Sequence, residues 1–504
     1  MPSYKPMKLF LFLGLDIIYT NEFFLYFCVK ISYTVYVSET EKITIEIENS
    51  FSKILFPSRY GNYRKELQEI MKYEKPGSSY ASYLRTGKYR ASYVRLYNLR
   101  TGILPTGLVQ SAVQFFIDSS LQFVIHDNRK KPELESIFYR IFNPFYELRP
   151  YQDEALNNIK KYGRGIIELA TGCGKSLVIY RTIKDFGLKT LIVVPSVVIL
   201  KQMHVDLVYH FGEKKIGIIS GGKKQINKDI IIGTPQSVIK HVDHLNNHVD
   251  ILIIDESHHA SSNVLRNINQ GLTNVYYRFY ATATPFRNDG ADLELTGIIG
   301  SKKLVEYDAV AGIRDKFLCP PLFVIYEFVH TGEEYKRWQT EQTKLLVEND
   351  KYNQTVADIA VHLESKGRKT IVFVTEIEHG EALSKLIPES IFINGTNDRK
   401  WNHKILTKFS KGEIPTIIAT TVVGEGANLI EADAAIIASG GKSKGAIMQK
   451  VGRIMRVSEN KKYAIVIDFT HENSKYLLRH AKQRIKIYKT YKTKVIIHDK
   501  EFTS

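Results

Sequence analysis

The sequence predicts an α/β protein in which two lobes, each built on a parallel sheet, follow a small α+β amino-terminal domain. Three observations support this fold class. Short apolar runs alternate with helical patterns from about residue 150 onward, as parallel strands joined by crossover helices do. This rhythm is interrupted between residues 303 and 365 and restarts at Thr370, which indicates two separate sheets. With 504 residues, the chain is also too long for a single hydrophobic core.

The chain is strongly basic. Its 70 Lys and Arg residues exceed its 53 Asp and Glu residues, so its formal net charge is +17. Such an excess favours a polyanionic partner, nucleic acid before an anionic membrane, although a basic bias without function is the plain alternative. We therefore expect DNA, RNA or both as the partner, and no membrane association.

The three cysteines, Cys28, Cys173 and Cys319, are far apart and form no C-x-x-C pair. They predict neither a disulfide framework nor a structural zinc site, and they fit a reducing intracellular compartment, whether nucleus, cytoplasm or virion. No uninterrupted apolar run approaches the ~18 residues that span a bilayer. We expect no obligate oligomer.

The amino-terminal part begins with an apolar and aromatic leader, residues 1–30. We expect a buried strand or helix there; a disordered leader is the alternative, and a signal peptide would need a small-residue cleavage site, which is absent. Alternating apolar side chains predict strands at residues 31–37 and 43–47. Helices are expected near Tyr63 to Tyr73 and after Val109.

The segment from Tyr80 to Arg100 interleaves tyrosines with basic residues, and no acidic residue occurs from Lys75 to Ile117. Aromatic rings can stack on bases while cations neutralise phosphates, so this composition predicts a nucleic-acid surface. The alternative is a β-sheet whose tyrosines pack across strands while the basic side chains face water. The residues expected to contact nucleic acid are Tyr89, Arg90, Tyr93 and Arg95.

Residues 166–176 carry the central motif of the chain. An apolar run that indicates a buried strand opens into a loop with Gly172 and Gly174, and a helical pattern follows. Glycines let the main chain turn so that its N–H groups point at a phosphate, and the next helix offers its N-terminus to the same anion. Lys175 would reach the β- and γ-phosphates, and the Ser176 hydroxyl would ligate Mg²⁺. Alone, the motif is also compatible with an ordinary turn.

Two acidic residues end a later apolar strand, Ile251 to Ile254. Asp255 would hold Mg²⁺ through water, and Glu256 would orient the attacking water. Helix capping by Asp255 is the ordinary alternative. The phosphate loop elsewhere in the same predicted sheet makes the metal and base roles the better interpretation, because carboxyl ends of parallel strands meet at one edge.

The second strand–helix series lacks a phosphate loop of its own. It carries Gly424 and Gly426 in one loop and Arg453 and Arg456 on a predicted helix. Arginines three residues apart share one helix face, and such a pair suits an arginine finger that reaches across a cleft to a γ-phosphate. A solvated basic helix is the alternative.

The C-terminal segment, Ser474 to Lys494, is also predicted to be a basic helix. Its cations are Lys475, Arg479, Lys482, Arg484, Lys486, Lys489, Lys492 and Lys494. Two interpretations stay open at this point: a solvated face, or contact with phosphate.

Taken together, these motifs resemble those of superfamily 2 helicases over roughly residues 147–470. The matching segments are Ala170–Ser176 (motif I), Gly233–Ser237 (motif Ib), Asp255–His258 (the D-E-x-H box), Thr282–Thr284 (motif III), Gly424–Gly426 (motif V) and Gln449–Arg456 (motif VI). Six motifs in the family's order form a highly specific signal. The resemblance implies two RecA-like lobes with ATP between them and nucleic acid across their top.

Arg149–Gln152 looks like the R-x-Y-Q start of the branch that contains XPB, type III restriction subunits and the phage UvsW helicase. Leu169, which stands where the general phosphate loop has its first glycine, is at home in that branch. The likeness to UvsW extends into the amino-terminal part, at Gly87–Tyr97 and Leu104–Val109. Motif V often contains Gly-x-Asp, but here the corresponding residues are Gly426-Ala427-Asn428, which predicts a weaker ribose contact and a less strict preference for ATP.

The resemblance also implies site roles. Nucleotide binding falls to Gln152, Ala170, Thr171, Gly172, Cys173, Gly174, Lys175, Ser176, Gly424 and Gly426. The catalytic residues are Lys175, Glu256, Gln449, Arg453 and Arg456. The ligands of Mg²⁺ are Ser176 and Asp255, and the residues that couple hydrolysis to movement are Thr282 and Thr284.

The expected units follow from these assignments. They are an apolar leader (1–30), an α+β domain expected to bind nucleic acid (31–145), a first RecA-like lobe (146–300), a connector (301–350), a second RecA-like lobe (351–472) and a basic C-terminal helix or tail (473–504). The implied function is an ATP-dependent helicase or translocase acting on DNA or RNA duplexes or branched structures, in contact with transcription or repair and recombination machinery.

Two other functions share parts of this motif set. An ATP-gated clamp that remodels nucleic acid without unwinding shares every motif and stays open. A P-loop kinase or small-molecule transferase is disfavoured, because it needs a closing lid in one domain and no arginine helix in a second lobe.

Overall fold

The computed structural model describes residues 41–75, 78–256, 262–283, 292–331, 335–420, 432–458 and 461–498. Several predictions concern residues outside these ranges: the leader, the strand at 31–37, His258, Thr284, Gly424 and Gly426. Over the described ranges, no helix combines the length and the apolar character needed to cross a membrane.

The amino-terminal domain is a small α+β unit, as predicted. Its elements are β1 (Ile43–Ile47), β2 (Phe51–Leu55), α1 (Gly61–Ile70), β3 (Lys72–Glu74), α2 (Ser78–Thr86), β4 (Tyr93–Arg95), β5 (Ile103–Pro105), α3 (Val109–Asp118) and β6 (Phe123–Asp127). Four strands form a sheet in the order β5–β2–β1–β6, and β3 pairs with β4. The alternating isoleucines of β1 are buried, because successive side chains of a strand point to opposite faces.

The first lobe is a parallel sheet with helices on its faces. Its elements are α4 (Pro150–Tyr162), β7 (Arg164–Leu169), α5 (Lys175–Phe186), β8 (Thr190–Val193), α6 (Val197–Phe211), β9 (Ile216–Ser220), β10 (Lys223–Lys224), β11 (Ile230–Gly233), α7 (Pro235–Val238), α8 (Val242–Asn246), β12 (Ile251–Asp255), α9 (Ser262–Gly271), β13 (Tyr277–Thr282), α10 (Asp292–Ile299), β14 (Lys303–Tyr307) and α11 (Ala309–Arg314). The strand order is β10–β9–β11–β8–β12–β13–β7–β14, and only the β9–β10 pair is antiparallel. Central strands such as β11 and β12 are buried throughout, which explains the apolar runs of β11 and of β12 up to Ile254.

The second lobe repeats this plan. Its elements are β15 (Pro321–Val329), α12 (Trp338–Gln342) continued by a short π-helix (Thr343–Val347), α13 (Asp350–Ser365), β16 (Thr370–Val374), α14 (Ile377–Leu386), β17 (Ile391–Ile393), α15 (Arg399–Ser410), β18 (Thr416–Thr420), β19 (Ala434–Ile437), α16 (Lys444–Ile454), β20 (Ala464–Glu472), α17 (Lys475–Lys489) and β21 (Val495–His498). The order β17–β18–β16–β19–β20–β15–β21 is parallel throughout. The predicted fold class, with two RecA-like lobes and a small α+β domain, is confirmed.

The segment predicted as a connector, residues 301–350, does not stand between the lobes as a separate unit. Strand β14 pairs with β7 and completes the first sheet, beyond the boundary placed at residue 300. Strand β15 lies between β20 and β21 in the second sheet. The prediction missed these memberships because strand pairing joins residues that are distant in sequence.

The C-terminal segment, expected as a separate helix or tail, is part of the second lobe. Helix α17 packs on β20, and β21 forms the edge of the sheet. Arg484, counted among the exposed cations, is buried: its Nε and Nη2 atoms donate to Asp468 at 2.7 and 2.8 Å. The Tyr488 hydroxyl donates to the same carboxylate at 2.6 Å. The pair of carboxylate and guanidinium satisfies charges that burial alone would make unfavourable.

The amino-terminal domain packs directly against the first lobe. A Cβ atom at Gly107 would lie 2.0 Å from the carbonyl oxygen of Thr296, so the two backbones touch there. Buried Arg278 donates from Nη2 to the Ser50 hydroxyl at 2.8 Å, and burial lowers its pKa to about 9. Arg278 lies on β13, which ends at Thr282. The domain therefore contacts the strand that leads into the candidate site.

Candidate nucleotide-binding site

The phosphate loop connects the end of β7 to the start of α5. Gly172 and Gly174 have φ angles of +89° and +77°, in the left-handed region that favours glycine. A Cβ atom at Gly174 would lie only 2.4 Å from Nε2 of Gln152. The loop therefore needs glycine at this position for both its conformation and its packing, and it leads directly into Lys175 at the first turn of α5.

Gln152 holds the main chain of this loop by hydrogen bonds. Its Nε2 donates to the carbonyl oxygens of Cys173, at 3.1 Å, and Gly174, at 3.4 Å, while its Oε1 accepts from the Arg149 N–H at 2.9 Å. The Tyr151 hydroxyl also donates to the Cys173 carbonyl, at 2.8 Å. The structure thus places Gln152, expected at the nucleotide, against the main chain of the loop. Tyr151 was not among the predicted site residues, although it stands inside the R-x-Y-Q motif.

Lys175 makes ion pairs with both acidic residues at the end of β12. Its Nζ lies 3.0 Å from Oδ1 of Asp255 and also contacts Oε1 of Glu256. Burial by itself would lower the pKa of Lys175, but the two carboxylates outweigh it, so the pKa is raised above that of an ordinary lysine. The ammonium is therefore charged at neutral pH and stands where the two motifs meet.

Glu256 is held by motif III. Its Oε2 accepts a hydrogen bond from the Thr282 hydroxyl at 2.8 Å, and its Oε1 accepts one from the Ala283 N–H at 2.9 Å. Its φ angle is +46°, a left-handed conformation that costs a non-glycine residue roughly 1–3 kcal/mol. The parallel register, in which Asp255 pairs with Ala281, brings these strand ends together.

The helix that carries motif VI, α16, packs on the phosphate loop from the other lobe. A Cβ atom at Gly452 would lie 2.5 Å from Cβ of Thr171, and one at Gly172 would lie 3.9 Å from Cγ of Arg456. Arg456, predicted on this helix with Arg453, lies beyond its end at Ile454 and forms an isolated antiparallel bridge with Leu318. The two lobes thus touch where the sequence places the phosphate loop and the arginine helix.

The other predicted site residues lie on the same elements. Ala170 and Cys173 are buried in the loop, and Ser176 is exposed at the start of α5. Gln449 and Arg453 lie on α16, half-buried. Within the described residues, the phosphate loop, the two acids, Thr282 and α16 therefore form one site. The groups at this site fit a nucleotide with Mg²⁺. The main-chain N–H groups of the glycine loop and the Lys175 ammonium would bind phosphates, and the Asp255 carboxylate and the Ser176 hydroxyl would bind a hard cation.

The residues predicted to contact nucleic acid lie apart from this site, on the amino-terminal domain. The expected alternative, a sheet of packed tyrosines, does not form: the segment contains α2 and the short strand β4. Tyr97 is fully buried, but Tyr89 is 67% exposed and stacks on Tyr83, with ring centroids 4.4 Å apart. The side chains of Arg90, Tyr93 and Arg95 are exposed.

Comparison with known proteins agrees with these motifs. Residues 145–287 match the family of the type III restriction enzyme res subunit, and residues 351–458 match the helicase conserved C-terminal domain. The DNA 3'-5' translocase XPB2 of Sulfurisphaera tokodaii is 30% identical over 69% of this chain and 90% of its own length. This chain belongs to the superfamily 2 helicases. Within them it falls in the branch of XPB, UvsW and the type III restriction subunits, and it is an ATP-dependent helicase or translocase.

Other relatives of this helicase cover much of its length. The ATP-dependent DNA helicase uvsW of Enterobacteria phage T4 is 24% identical over 84% of this chain and 93% of its own length. Among solved structures, a putative HsdR subunit of a type I restriction enzyme from Vibrio vulnificus has a TM-score of 0.52 at 17% identity, covering 83% of this chain and 80% of that one. That structural likeness concerns the fold.

Proposed function

We propose that this helicase hydrolyses ATP with Mg²⁺ at the site between its lobes and uses the cycle to move on DNA. The observation that carries the proposal is the contact of the phosphate loop with the motif VI helix, where Gly452 of one lobe meets Thr171 of the other. A site shared by two lobes can open and close as nucleotide is bound and released. DNA is the preferred substrate because the similar proteins XPB2 and uvsW are both named for DNA.

The network around Lys175 supports distinct roles for its members. The ammonium is now shared between Asp255 and Glu256, and a γ-phosphate would compete for it. Transfer of the ammonium from Oε1 of Glu256 to the phosphate would make that oxygen, which also accepts from the Ala283 N–H, more available to orient the attacking water. Ser176 and Asp255 would hold Mg²⁺, which neutralises phosphate charge when bound. The arginines Arg453 and Arg456 would stabilise the charge that develops on the transferred phosphoryl group.

Thr282 is well placed to link hydrolysis with movement. It contacts Glu256 directly, and its strand β13 carries Arg278, which binds Ser50 of the amino-terminal domain. A change at the nucleotide thus has a short covalent and hydrogen-bonded route to that domain. We propose that Tyr89, Arg90, Tyr93 and Arg95 grip a single strand there, because exposed rings and cations suit unstacked bases and their phosphates.

The test measures nucleic-acid-stimulated ATP hydrolysis together with strand displacement on forked DNA and the matching RNA. Lys175→Ala should lower turnover by orders of magnitude, because it removes the cation that meets the phosphates. Glu256→Gln should bind ATP without hydrolysing it, and Arg456→Ala should lose hydrolysis from the opposite lobe. Normal hydrolysis by Arg456→Ala beside an inactive Glu256→Gln would contradict a shared site.

The same assay separates an ATP-gated clamp from a motor. A clamp would hydrolyse ATP and hold the fork without displacing a strand or moving along it. The relatives named above favour a helicase or translocase over the clamp.

A further inference from the structure

The exposed face of α17 carries a straight line of positive charge, here called the basic stripe. Its members recur at helical spacing and are all exposed: Lys475, Arg479, Lys482, Lys486 and Lys489. At 1.5 Å per residue the stripe is ~21 Å long. No acidic residue occurs in the sequence from Asn473 to His498. In the described part of the chain, none of the five stripe residues makes an ion pair.

The opposite face of α17 fixes the stripe to the second lobe. Leu477, Ile487 and Tyr488 are buried, and the ion pair of Arg484 with Asp468 lies beneath the helix. The helix N-terminus is already satisfied, because the Glu341 carboxylate accepts from the N–H groups of residues 476 and 477, both at 2.8 Å. The positive charge that a partner would meet is therefore that of the stripe side chains and not that of the helix N-terminus. The packing of α17 on the second lobe holds these side chains on a fixed helix.

The stripe continues toward the candidate site. His480 of α17 forms a 2.9 Å hydrogen bond with the Gly440 carbonyl, in the loop that leads into α16. Lys442, two residues further along that loop, is exposed, and Arg479 of the stripe directly precedes His480. The hydrogen bond between His480 and Gly440 therefore joins two segments that both carry exposed cations.

We propose that the basic stripe binds the phosphate backbone of duplex nucleic acid outside the cleft between the lobes. A duplex carries one negative charge per about 1.7 Å of its axis and is stiff, so a straight row of cations meets it without bending either partner. Single-strand sites interleave exposed aromatic rings with cations, whereas the ring in contact with the stripe is the half-buried Tyr476, over which Lys475 and Arg479 lie. A membrane is disfavoured because the apolar face of α17 is already buried in the lobe.

The proposal rests on the nucleic-acid partner of the proposed function but not on its ATP site. It adds a division of labour: aromatic side chains of the amino-terminal domain hold single-stranded bases, and the C-terminal helix follows the duplex arm. Both surfaces would be engaged together at a fork.

The test variant is Lys482→Gln with Lys486→Gln in the full chain. The matched control is Lys366→Gln with Lys411→Gln, two exposed lysines in the turns that precede β16 and β18. Affinity for blunt duplex, single strand and fork is measured across a salt series. For duplex, the log–log salt slope should flatten by roughly 0.9 per lysine, with a loss on the order of tenfold to a hundredfold near 0.1 M salt. Single-strand affinity, basal ATP hydrolysis and melting temperature should match the control.

Three results would overturn the proposal. An unchanged duplex slope would make the stripe a solvated face. Equal losses on duplex and single strand would remove the duplex preference. Loss of binding to phosphatidylserine vesicles, with duplex binding intact, would assign the stripe to lipid. If the wild-type chain fails to bind any nucleic acid, the proposed function itself fails. If the wild type binds nucleic acid and the stripe variant binds it as the control variant does, only the stripe proposal fails.

Discussion

The Thr282 hydroxyl donates a hydrogen bond to Oε2 of Glu256 at 2.8 Å, which ties motif III to the carboxylate expected to orient the attacking water. The next residue along, Ala283, donates its N–H to the other carboxylate oxygen at 2.9 Å. Strand β13, which ends at Thr282, also carries Arg278, the contact to the amino-terminal domain. The site is therefore joined to a second domain through one strand.

We expect Thr282→Val to keep the shape of the site and remove this hydroxyl. A hydrogen bond to a charged group is worth roughly 1.5–3 kcal/mol, so nucleic-acid-stimulated turnover should fall about tenfold to a hundredfold. Thr282→Ser retains the donor and should restore most of the activity. Steady-state ATP hydrolysis with and without DNA measures the effect; equal activity of the Val and Ser variants would show that the hydroxyl has no role.

Gly452→Ala should separate the lobes at their contact. The new Cβ would lie 2.5 Å from Cβ of Thr171, closer than non-bonded atoms can approach, so α16 must move away from the phosphate loop. Gly441→Ala is the control, because a Cβ there meets no atom within 4 Å. ATP hydrolysis should fall strongly in the first variant and not in the second, at similar melting temperatures. Full hydrolysis by Gly452→Ala would rule out this contact in the active state.

Within one segment, loss of the Tyr89 ring should weaken nucleic-acid binding, whereas loss of the Tyr97 ring should lower stability. Tyr89→Ala removes a ring that is 67% exposed and should weaken single-strand binding by about 1–3 kcal/mol if it stacks on a base. Tyr97→Ala removes a fully buried ring and should lower the melting temperature instead. Arg90→Gln and Arg95→Gln should each flatten the single-strand salt slope by roughly 0.7. If the Tyr89 variant has a lowered melting temperature and normal single-strand affinity, the role of this ring is structural.

Acid should destabilise the second lobe through His379. The side chain is buried and its Nε2 lies 2.9 Å from Oδ1 of Asn353; burial lowers its pKa to about 4. An unfolded histidine has a pKa of about 6.5, so the unfolded chain binds more protons between these values and stability falls as pH drops through that window. The loss from this group should reach roughly 2–4 kcal/mol by pH 4.

The measurement is the free energy of unfolding across pH 4 to 7 for the wild type and His379→Gln. The variant should show a shallower decline with falling pH, whatever its stability at pH 7. Parallel curves for the two proteins would mean that His379 is not the titrating group.

Most of the secondary structure, and the set of motifs, could be predicted from the sequence. Strands such as Thr370–Val374 are buried throughout and, after Thr370, entirely apolar, so the sequence alone identifies them. The phosphate loop was equally visible, because Gly172, Gly174 and Lys175 act through local geometry that their own residue types dictate.

Other features were decided by the tertiary structure, because they join residues that are distant in the chain. Gln152 donates hydrogen bonds to the main chain of the phosphate loop, and Arg484 pairs with buried Asp468 while its neighbours on the same helix face water. The contact of Thr282 with Glu256 depends on the register of two parallel strands, and that of Gly452 with Thr171 on the docking of two lobes. Residue type and periodicity determine which functional groups this chain possesses. Strand register and lobe packing determine which of these groups come into contact, and neither can be predicted from the local sequence.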